Sequence, residues 1–319
     1  MVGQPASVAI LAGGGSLPLA LADALSARQI NVSILAFRGF AAQNVAQRAH
    51  AIVDLLDVQA TLAWLEQRSP SCVVLVGTVI RPHPSAVIGA FAAYRSRKEL
   101  GRLMAAGDDQ LLGGVLRLLE DHGFTVAGIA SLAPELLGRP GQLGTVQPND
   151  SHNQAIAMGL DVLDTLSRFD AGQAVVISGR RVIAVEGPEG TDAMLRRVYW
   201  MRLTRRWKAD RGGVLVKAPK LGQDYRVDLP AVGPRTVKWA ARAGLLGIAY
   251  GAGRTLVIDE ADMVQQANRK GLFVLGVSDR DAEEASSEIT RSEITRLETT
   301  RLETTVLKRD VLENDDDRA

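Results

Sequence analysis

The strongest constraint on the fold is a repeated alternation. Short apolar runs end in glycine and are followed by segments of helical spacing. Val8–Ala12 runs into Gly13-Gly14-Gly15, and Leu17–Arg28 then carries apolar residues at helical intervals. Val32–Phe37 and Cys72–Val76 repeat the apolar run, the latter ending at Gly77-Thr78. Asp57–Arg68 and Gln110–His122 repeat the helix, and a further strand is expected near Thr125–Ile129. Strand, glycine, helix, strand is the pattern of a parallel sheet covered on both faces. The expected fold is therefore α/β, with a Rossmann-like parallel-sheet domain over residues 1–134.

The alternation lapses between residues 135 and 151, where Arg139-Pro140-Gly141 and Pro148-Asn149-Asp150 are turn-rich, and a linker is expected there. A second, mixed α/β unit is expected over 152–278. It begins with a helix over Ala155–Phe169, then a hairpin of Ala174–Ser178 and Val182–Glu186 around Gly179-Arg180-Arg181. A helix opens at Thr191, and strands follow at Val214–Lys217, Gly247–Tyr250, Thr255–Ile258 and Phe273–Val277, with a helix over Thr236–Ala243. Residues 279–319 repeat a five-residue unit, Ser287 to Arg291, then Ser292 to Arg296, then two variants. Five residues advance about 140° on a helix, so the apolar positions build no single face. A solvated, acidic appendage without chemistry is expected.

Composition removes several classes of function. A net charge of +1 gives no global pull toward nucleic acid, and aromatics at 4% offer little stacking surface for single strands. One cysteine, Cys72, excludes an intramolecular disulfide framework and an all-cysteine zinc site. The four histidines are scattered, without a metal-ligand spacing. No apolar run reaches the ~18–20 residues that span a bilayer. The N-terminus lacks a signal-peptide pattern, so a cytoplasmic protein is expected. The neutral total hides an uneven distribution. Residues 180–226 carry twelve Lys/Arg against five Asp/Glu, and residues 279–319 carry seven against thirteen.

Two places carry candidate chemistry. Gly13-Gly14-Gly15-Ser16 lies at the carboxyl end of a strand and opens a helix, where backbone N–H groups and the helix dipole attract an anion. Ser16 is also a natural cap, with Leu17 and Pro18 in the first turn. The dinucleotide fingerprint lacks its third glycine, and no acidic residue ends the second strand, where Arg38 stands instead. A classical dehydrogenase and a P-loop enzyme are both disfavoured. Gly77-Thr78 is expected on the same sheet edge. Asp108 and Asp109 precede a helix and read first as caps, with Mg²⁺ binding as the alternative.

The second place is denser. Glu186, Glu189, Gly190, Thr191 and Asp192 lead into Arg196 and Arg197. Lys217, Lys220, Gln223, Asp224, Arg226 and Asp228 follow, and then Arg235. Carboxylates alternate with cations inside glycine- and proline-rich turns. Diphosphate chemistry needs that mixture, since cations neutralise phosphate charge while carboxylates hold Mg²⁺ or orient water. A salt-bridged surface is the ordinary alternative.

The runs 12–18, 107–109, 186–197, 217–230 and 233–236 together resemble the LpxI-type UDP-2,3-diacylglucosamine pyrophosphatases, over about residues 7–277. The resemblance implies two domains with the active site in the cleft between them. It implies Mg²⁺-dependent hydrolysis of a lipid-linked UDP-sugar, UDP-2,3-diacylglucosamine, to lipid X and UMP in lipid A synthesis. The expected location is a Gram-negative cytoplasm, with transient contact at the inner-membrane surface and no nucleic-acid partner; a homodimer is compatible. The family's essential aspartate corresponds to Asp224 first and Asp228 second, which also stand as the metal ligands. Lys217 and Arg226 join the catalytic set. Substrate binding is expected from Gly13, Gly14, Gly15, Ser16, Leu17, Gly77, Thr78, Asp109, Glu186, Gly190, Thr191, Asp192, Lys220, Gln223 and Arg235. The alternative is a non-catalytic binder of sugar nucleotide or lipid on the same scaffold. An NADP-linked oxidoreductase using Arg38 is the weakest reading.

Overall fold

The computed structural model describes residues 5–79, 108–169, 171–207, 212–220, 226 and 229–278, with the side chains of 108–112 outside that description. The acidic appendage expected at 279–319 lies outside the described residues.

The first unit alternates β1 (Ser7–Ala12), α1 (Leu17–Ala27), β2 (Asn31–Phe37), α2 (Gln43–Arg48), β3 (Ala51–Val53), α3 (Val58–Arg68) and β4 (Cys72–Val76). Its four strands are parallel in the order β3-β2-β1-β4. Period-two alternation sorts their side chains onto two faces. Val8, Ile10, Ile34 and Val74 pack with Leu21 and Leu25 of α1. Ala9, Leu11, Leu35 and Val73 pack with Leu62 and Leu65 of α3 and with Leu116 and Leu119 of α4 (Asp108–Asp121). Both faces are buried, which is why the strands read as continuous apolar runs. The chain leaves β1 for β2 on one side and returns to β4 on the other. The strand order therefore reverses at β1, and the carboxyl ends of β1 and β4 flank a topological switch point.

The strand expected near Thr125–Ile129 shrinks to a single parallel bridge between Val126 and Val73. The reason is local. Gly128 caps a one-turn helix, α5 (Ile129–Leu132), and Ile129 and Leu132 turn inward to close the α1 side of the core. Extended pairing cannot continue through that turn.

The second unit holds a six-stranded mixed sheet in the order β5-β12-β10-β8-β6-β7. Its strands are β5 (Gly141–Leu143), β6 (Ala174–Ser178), β7 (Arg181–Val185), β8 (Val214–Lys217), β10 (Gly247–Gly251) and β12 (Phe273–Val277). Strands β8, β10 and β12 are parallel, while β6 runs against β8, β7 against β6 and β5 against β12. Strand β5 thus falls within the stretch read as a linker. The hairpin turn is the pair Gly179-Arg180, with Gly179 at φ +55°. One face of the sheet is covered by α6 (Asp150–Ser167) through Ala155, Ile156 and Leu163. The other is covered by α7 (Thr191–Leu203), α8 (Pro234–Ala243) and α9 (Glu260–Lys270) through Met194, Leu195, Val237, Ala240, Met263 and Ala267.

Helix α6 starts five residues earlier than expected because Asn149 caps it. Asn149 Oδ1 accepts from the His152 backbone at 3.0 Å, and His152 Nδ1 accepts from the Asn149 N–H at 3.1 Å. Burial holds the His152 pKa below its ordinary value, which keeps Nδ1 free to accept.

A small parallel pair, β9 (Ala231–Val232) with β11 (Leu256–Val257), ties the units together. Leu256 is buried in the core of the first unit, with Leu229 and Ala231 packed against it. Leu137 bridges Leu256 from the other side. Nearby, Arg226 Nη1 donates to Glu120 Oε1 of α4 at 2.7 Å.

Tyr250 on β10 is the largest fully buried side chain among the described residues and donates its hydroxyl to the Arg139 carbonyl at 2.8 Å. Burial raises its pKa to about 12. The folded state therefore keeps a proton that the unfolded state releases near pH 10, so stability falls between about pH 10 and pH 12. Tyr250→Phe is expected to lose about 1 kcal/mol at neutral pH and to show a shallower alkaline loss, measured by urea unfolding across that range. An equally steep loss would assign the alkaline limb to other groups.

Candidate functional site

The described contacts define two polar networks, each at the carboxyl edge of parallel strands. In the first, the Gly14 N–H donates to the Thr78 carbonyl at 2.7 Å and the Thr78 N–H donates back at 3.0 Å. The Gly13 N–H donates to Val76 at 2.8 Å. The turns after β1 and β4 are thus zipped together across the switch point, which sets a steric demand. A Cβ on Gly77, at φ +99°, would stand 2.5 Å from the Gly14 oxygen, and one on Gly13 would stand 2.7 Å from the Thr78 oxygen. Gly13, Gly14 and Gly77 are required by this backbone approach itself. Gly15 differs: its φ is +91°, nothing lies within 4 Å of its would-be Cβ, and it is exposed beside Ser16. Open space for an anion at this turn therefore lies at Gly15 and Ser16, with Thr78 exposed alongside.

Ser16 does not act as the side-chain cap expected of it. Its backbone is helical, φ −90° and ψ −15°, and its side chain caps no N–H. A capping hydroxyl normally rides on extended backbone, which aims it back at the first turn. Leu17 is the first residue of α1 and packs against the core of the first unit. Asp57, by contrast, caps α3 through Ala60 at 2.9 Å. Asp109 falls in the first turn of α4, and its side chain lies outside the described residues.

The second network sits where β7 ends, α7 begins and β8 ends. Lys217 closes β8 and is only 9% exposed. Its Nζ donates to Thr191 Oγ1 at 2.7 Å, and that hydroxyl donates to Glu186 Oε1 at 2.6 Å. The other carboxylate oxygen of Glu186 accepts from the Gln173 N–H at 2.8 Å. A lysine is rarely buried without a partner, since desolvating an ammonium is costly. Here the cost is offset through a hydroxyl that hands the positive end of the chain to a carboxylate. The direction of every proton in this chain is set, because ammonium only donates and carboxylate only accepts.

Gly190 caps α7 at φ +80° without a side-chain hydrogen bond, and Thr191, the first residue of α7, is the one that holds Lys217. Asp192, in that first turn, pairs with Arg235 at the start of α8. Glu189 pairs with Arg197 at 2.9 Å. A hydrogen bond from its own backbone N–H, aided by Arg197, holds the Glu189 carboxyl below the usual range. Arg226 is engaged with Glu120. Lys220 is half-buried, three residues beyond Lys217. Gln223, Asp224 and Asp228 lie outside the described residues.

Glu186, Gly190, Thr191, Asp192, Lys217 and Arg235, more than 40 residues apart at the extremes, therefore meet at one strand edge. Gly13, Gly14, Gly15, Ser16, Gly77 and Thr78 meet at another. Sequence reasoning missed Gln173, which acts through its backbone and leaves no mark in residue type. Among the described residues, no group of three or more His, Cys, Asp or Glu stands in metal-binding array, and no helix is long and apolar enough to cross a membrane.

A parallel α/β unit with a switch-point turn, joined to a mixed-sheet unit with a buried lysine at a strand end, defines a two-unit α/β protein with a polar network at each strand edge. The comparisons give it a family. The LpxI N-terminal domain matches residues 7–136 and the LpxI C-terminal domain matches residues 139–275, so the chain belongs to the LpxI family. It is 39% identical over 276 residues to the UDP-2,3-diacylglucosamine pyrophosphatase LpxI of Caulobacter vibrioides, covering 85% of this chain and 98% of that protein. Among solved structures, glycinamide-RNase-transformylase T of Mycobacterium tuberculosis aligns over 56% of this chain and 43% of its own, at 14% identity and a TM-score of 0.19.

The glycine turn yields a stability contrast. Gly77→Ala is expected to destabilise by about 2–4 kcal/mol, through positive φ and a backbone clash. Gly15→Ala is expected to lose only about 1 kcal/mol, since its Cβ meets open space. Urea denaturation of both variants checks this, and equal losses would refute the zipped-turn reading.

Proposed function

We propose that the chain hydrolyses the diphosphate of UDP-2,3-diacylglucosamine to 2,3-diacylglucosamine 1-phosphate and UMP, a step of lipid A synthesis. The observation that carries the reading is the Lys217–Thr191–Glu186 chain at the end of β8. It stands immediately before the run 218–230, in a chain 39% identical to an enzyme named for this reaction.

Water adds to one phosphorus, the bridging P–O bond breaks, the leaving phosphate takes up the electron pair and its negative charge, and the proton lost by the water passes to solvent. Asp224, with Asp228 second, orients that water. Lys217 holds a fixed positive charge where the diphosphate charge develops, and Lys220 adds a second; preorganised charge of this kind favours the transition state over the ground state. Arg226 and Arg235 contribute less directly, because Glu120 and Asp192 already share their charge. Gly15 and Ser16, with the α1 N-terminus and Thr78, receive the nucleotide phosphate.

Mg²⁺ is the expected cofactor. Asp224 and Asp228, the aspartates of the 217–230 run, are its proposed ligands, since carboxylate oxygens suit a hard cation. When bound, it would supply charge neutralisation at a phosphoryl oxygen. The two acyl chains call for an apolar slot, for which the junction of the two units is the natural place. A substrate of this kind also places the protein in the cytoplasm, working at the inner-membrane surface.

Purified protein with the substrate and Mg²⁺ is expected to release UMP and the 1-phosphate, with release lost in EDTA. Asp224→Asn is expected to abolish turnover, and Lys217→Met to lower kcat roughly 10²–10³-fold. Tight binding without cleavage by the parent protein would instead favour a non-catalytic sugar-nucleotide binder. Normal turnover by folded Asp224→Asn and Asp228→Asn variants would remove both from the mechanism.

A further inference from the structure

Helix α7 has two faces, and only one is accounted for by the core. Met194, Leu195 and Val198 are buried against the sheet. Arg196, Trp200 and Leu203 recur at i, i+4 and i+7, which places them on one stripe of the opposite face. Trp200 is 62% exposed and Leu203 54% exposed, among the largest apolar side chains left in solvent. The neighbouring helix α8 extends the surface. Trp239 lies between two guanidinium groups, Arg196 at 5.7 Å and Arg242 at 5.1 Å from its ring.

The charge around this stripe is of one sign. Residues 193–207 hold five arginines and no Asp or Glu, and residues 231–246 hold Arg235, Lys238 and Arg242 with none either. Arg197 and Arg235 are paired with Glu189 and Asp192. No carboxylate among the described residues pairs with Arg196, Arg205, Arg206 or Arg242. The whole chain is nearly neutral, so this concentration is local.

We propose that this outer face of α7 and α8 docks on an anionic lipid surface, with Trp200 and Leu203 entering the headgroup boundary and the arginines facing lipid phosphates. A helix with an apolar stripe flanked by basic residues is suited to lie in that plane, and tryptophan is suited to its depth. Cationic side chains are drawn to the negative surface potential of such a membrane. A second copy of this chain fits less well, because a two-fold contact here would set arginine against arginine. The inference rests on the proposed two-chain lipid substrate, and it deepens that reading. Trp200 lies nine residues along α7 from Thr191, roughly 13 Å at helical rise, so docking would bring the Lys217 edge close to membrane-held substrate.

The test uses the full chain and vesicles of phosphatidylethanolamine with phosphatidylglycerol, without substrate, in a flotation assay. Binding is expected to strengthen with the phosphatidylglycerol fraction and to weaken between low and high salt. Trp200→Ala with Leu203→Ser is expected to lower binding at least about tenfold at unchanged thermal stability, and Arg205→Glu with Arg206→Glu should do the same. Both double variants are expected to keep full turnover of detergent-dispersed UDP-2,3-diacylglucosamine and to lose turnover of vesicle-held substrate. Absence of vesicle binding by the parent chain, or binding unchanged in the variants, overturns the proposal. A dimer that dissociates in Trp200→Ala with Leu203→Ser, seen by sedimentation, would reassign the face to self-association and overturn it too. No turnover of dispersed substrate by the parent protein would remove the enzymatic reading, while the flotation result would still decide the docking surface.

Discussion

The burial of one ammonium organises the second unit. Lys217 ends a central strand at 9% exposure, where a charge without partners would destabilise the fold severely. Its acceptance there requires Thr191 to stand at the first position of α7 and Glu186 to stand at the end of the hairpin. Three elements that are separate in sequence are thereby held in one register by a chain of short hydrogen bonds. The hairpin sets Glu186 through its own ladder, since its N–H donates to the Ala174 carbonyl and its carbonyl accepts from Gly172. A polar network inside a low-dielectric surround is stronger than on a surface, and it is also less forgiving of a missing member.

Both units use parallel strands in the same way. A parallel strand needs a crossover, and the crossover leaves from the carboxyl end, so the loops that can hold a ligand collect on one edge. In the first unit that edge is nearly closed by the exchange of hydrogen bonds between Gly14 and Thr78, which leaves Gly15 and Ser16 as the open remainder. In the second it is open at Gly190 and polar at Lys217. The β9–β11 pair matters because it carries Leu229, Ala231 and Leu256 from the second unit into the core of the first. The relation between the two edges thus depends on apolar burial, which is stronger than the surface ion pair of Arg226 with Glu120.

Much of this was legible in the residues. The strands at Cys72–Val76, Val214–Lys217 and Phe273–Val277 have the bounds that β-branched and apolar runs imply. The misses turn on contacts and backbone geometry that apolar periodicity does not register. Helix α6 begins at Asp150 because Asn149 and His152 satisfy each other, a pairing of side chain with backbone that apolar periodicity does not register. The strand near Val126 gives way because Ile129 and Leu132 are needed in the core under α1. Ser16 has the chemistry of a cap and the wrong backbone for it. The stretch around Gly141 reads as linker because β5 is three residues long, and an edge strand of that length has no period to detect. At the sites, residue types pointed to Glu186, Thr191 and Lys217 as members of one polar set. Their connectivity did not follow from sequence, and neither did the part of Gln173, since a backbone N–H is common to almost every residue.

The distribution of charge adds a constraint that the net value conceals. Site cations are drawn down by neighbouring carboxylates: Arg235 by Asp192, Arg226 by Glu120, Arg197 by Glu189. Lys217 reaches Glu186 through Thr191, whose hydroxyl accepts from the ammonium and donates to the carboxylate. The same logic separates the outer face of α7 from the site at its N-terminus. Carboxylates stand near the first turn, where they tune and orient, and are missing along the stripe of Arg196, Trp200 and Leu203, where unneutralised positive charge beside apolar surface is useful only to a partner that is itself anionic and apolar.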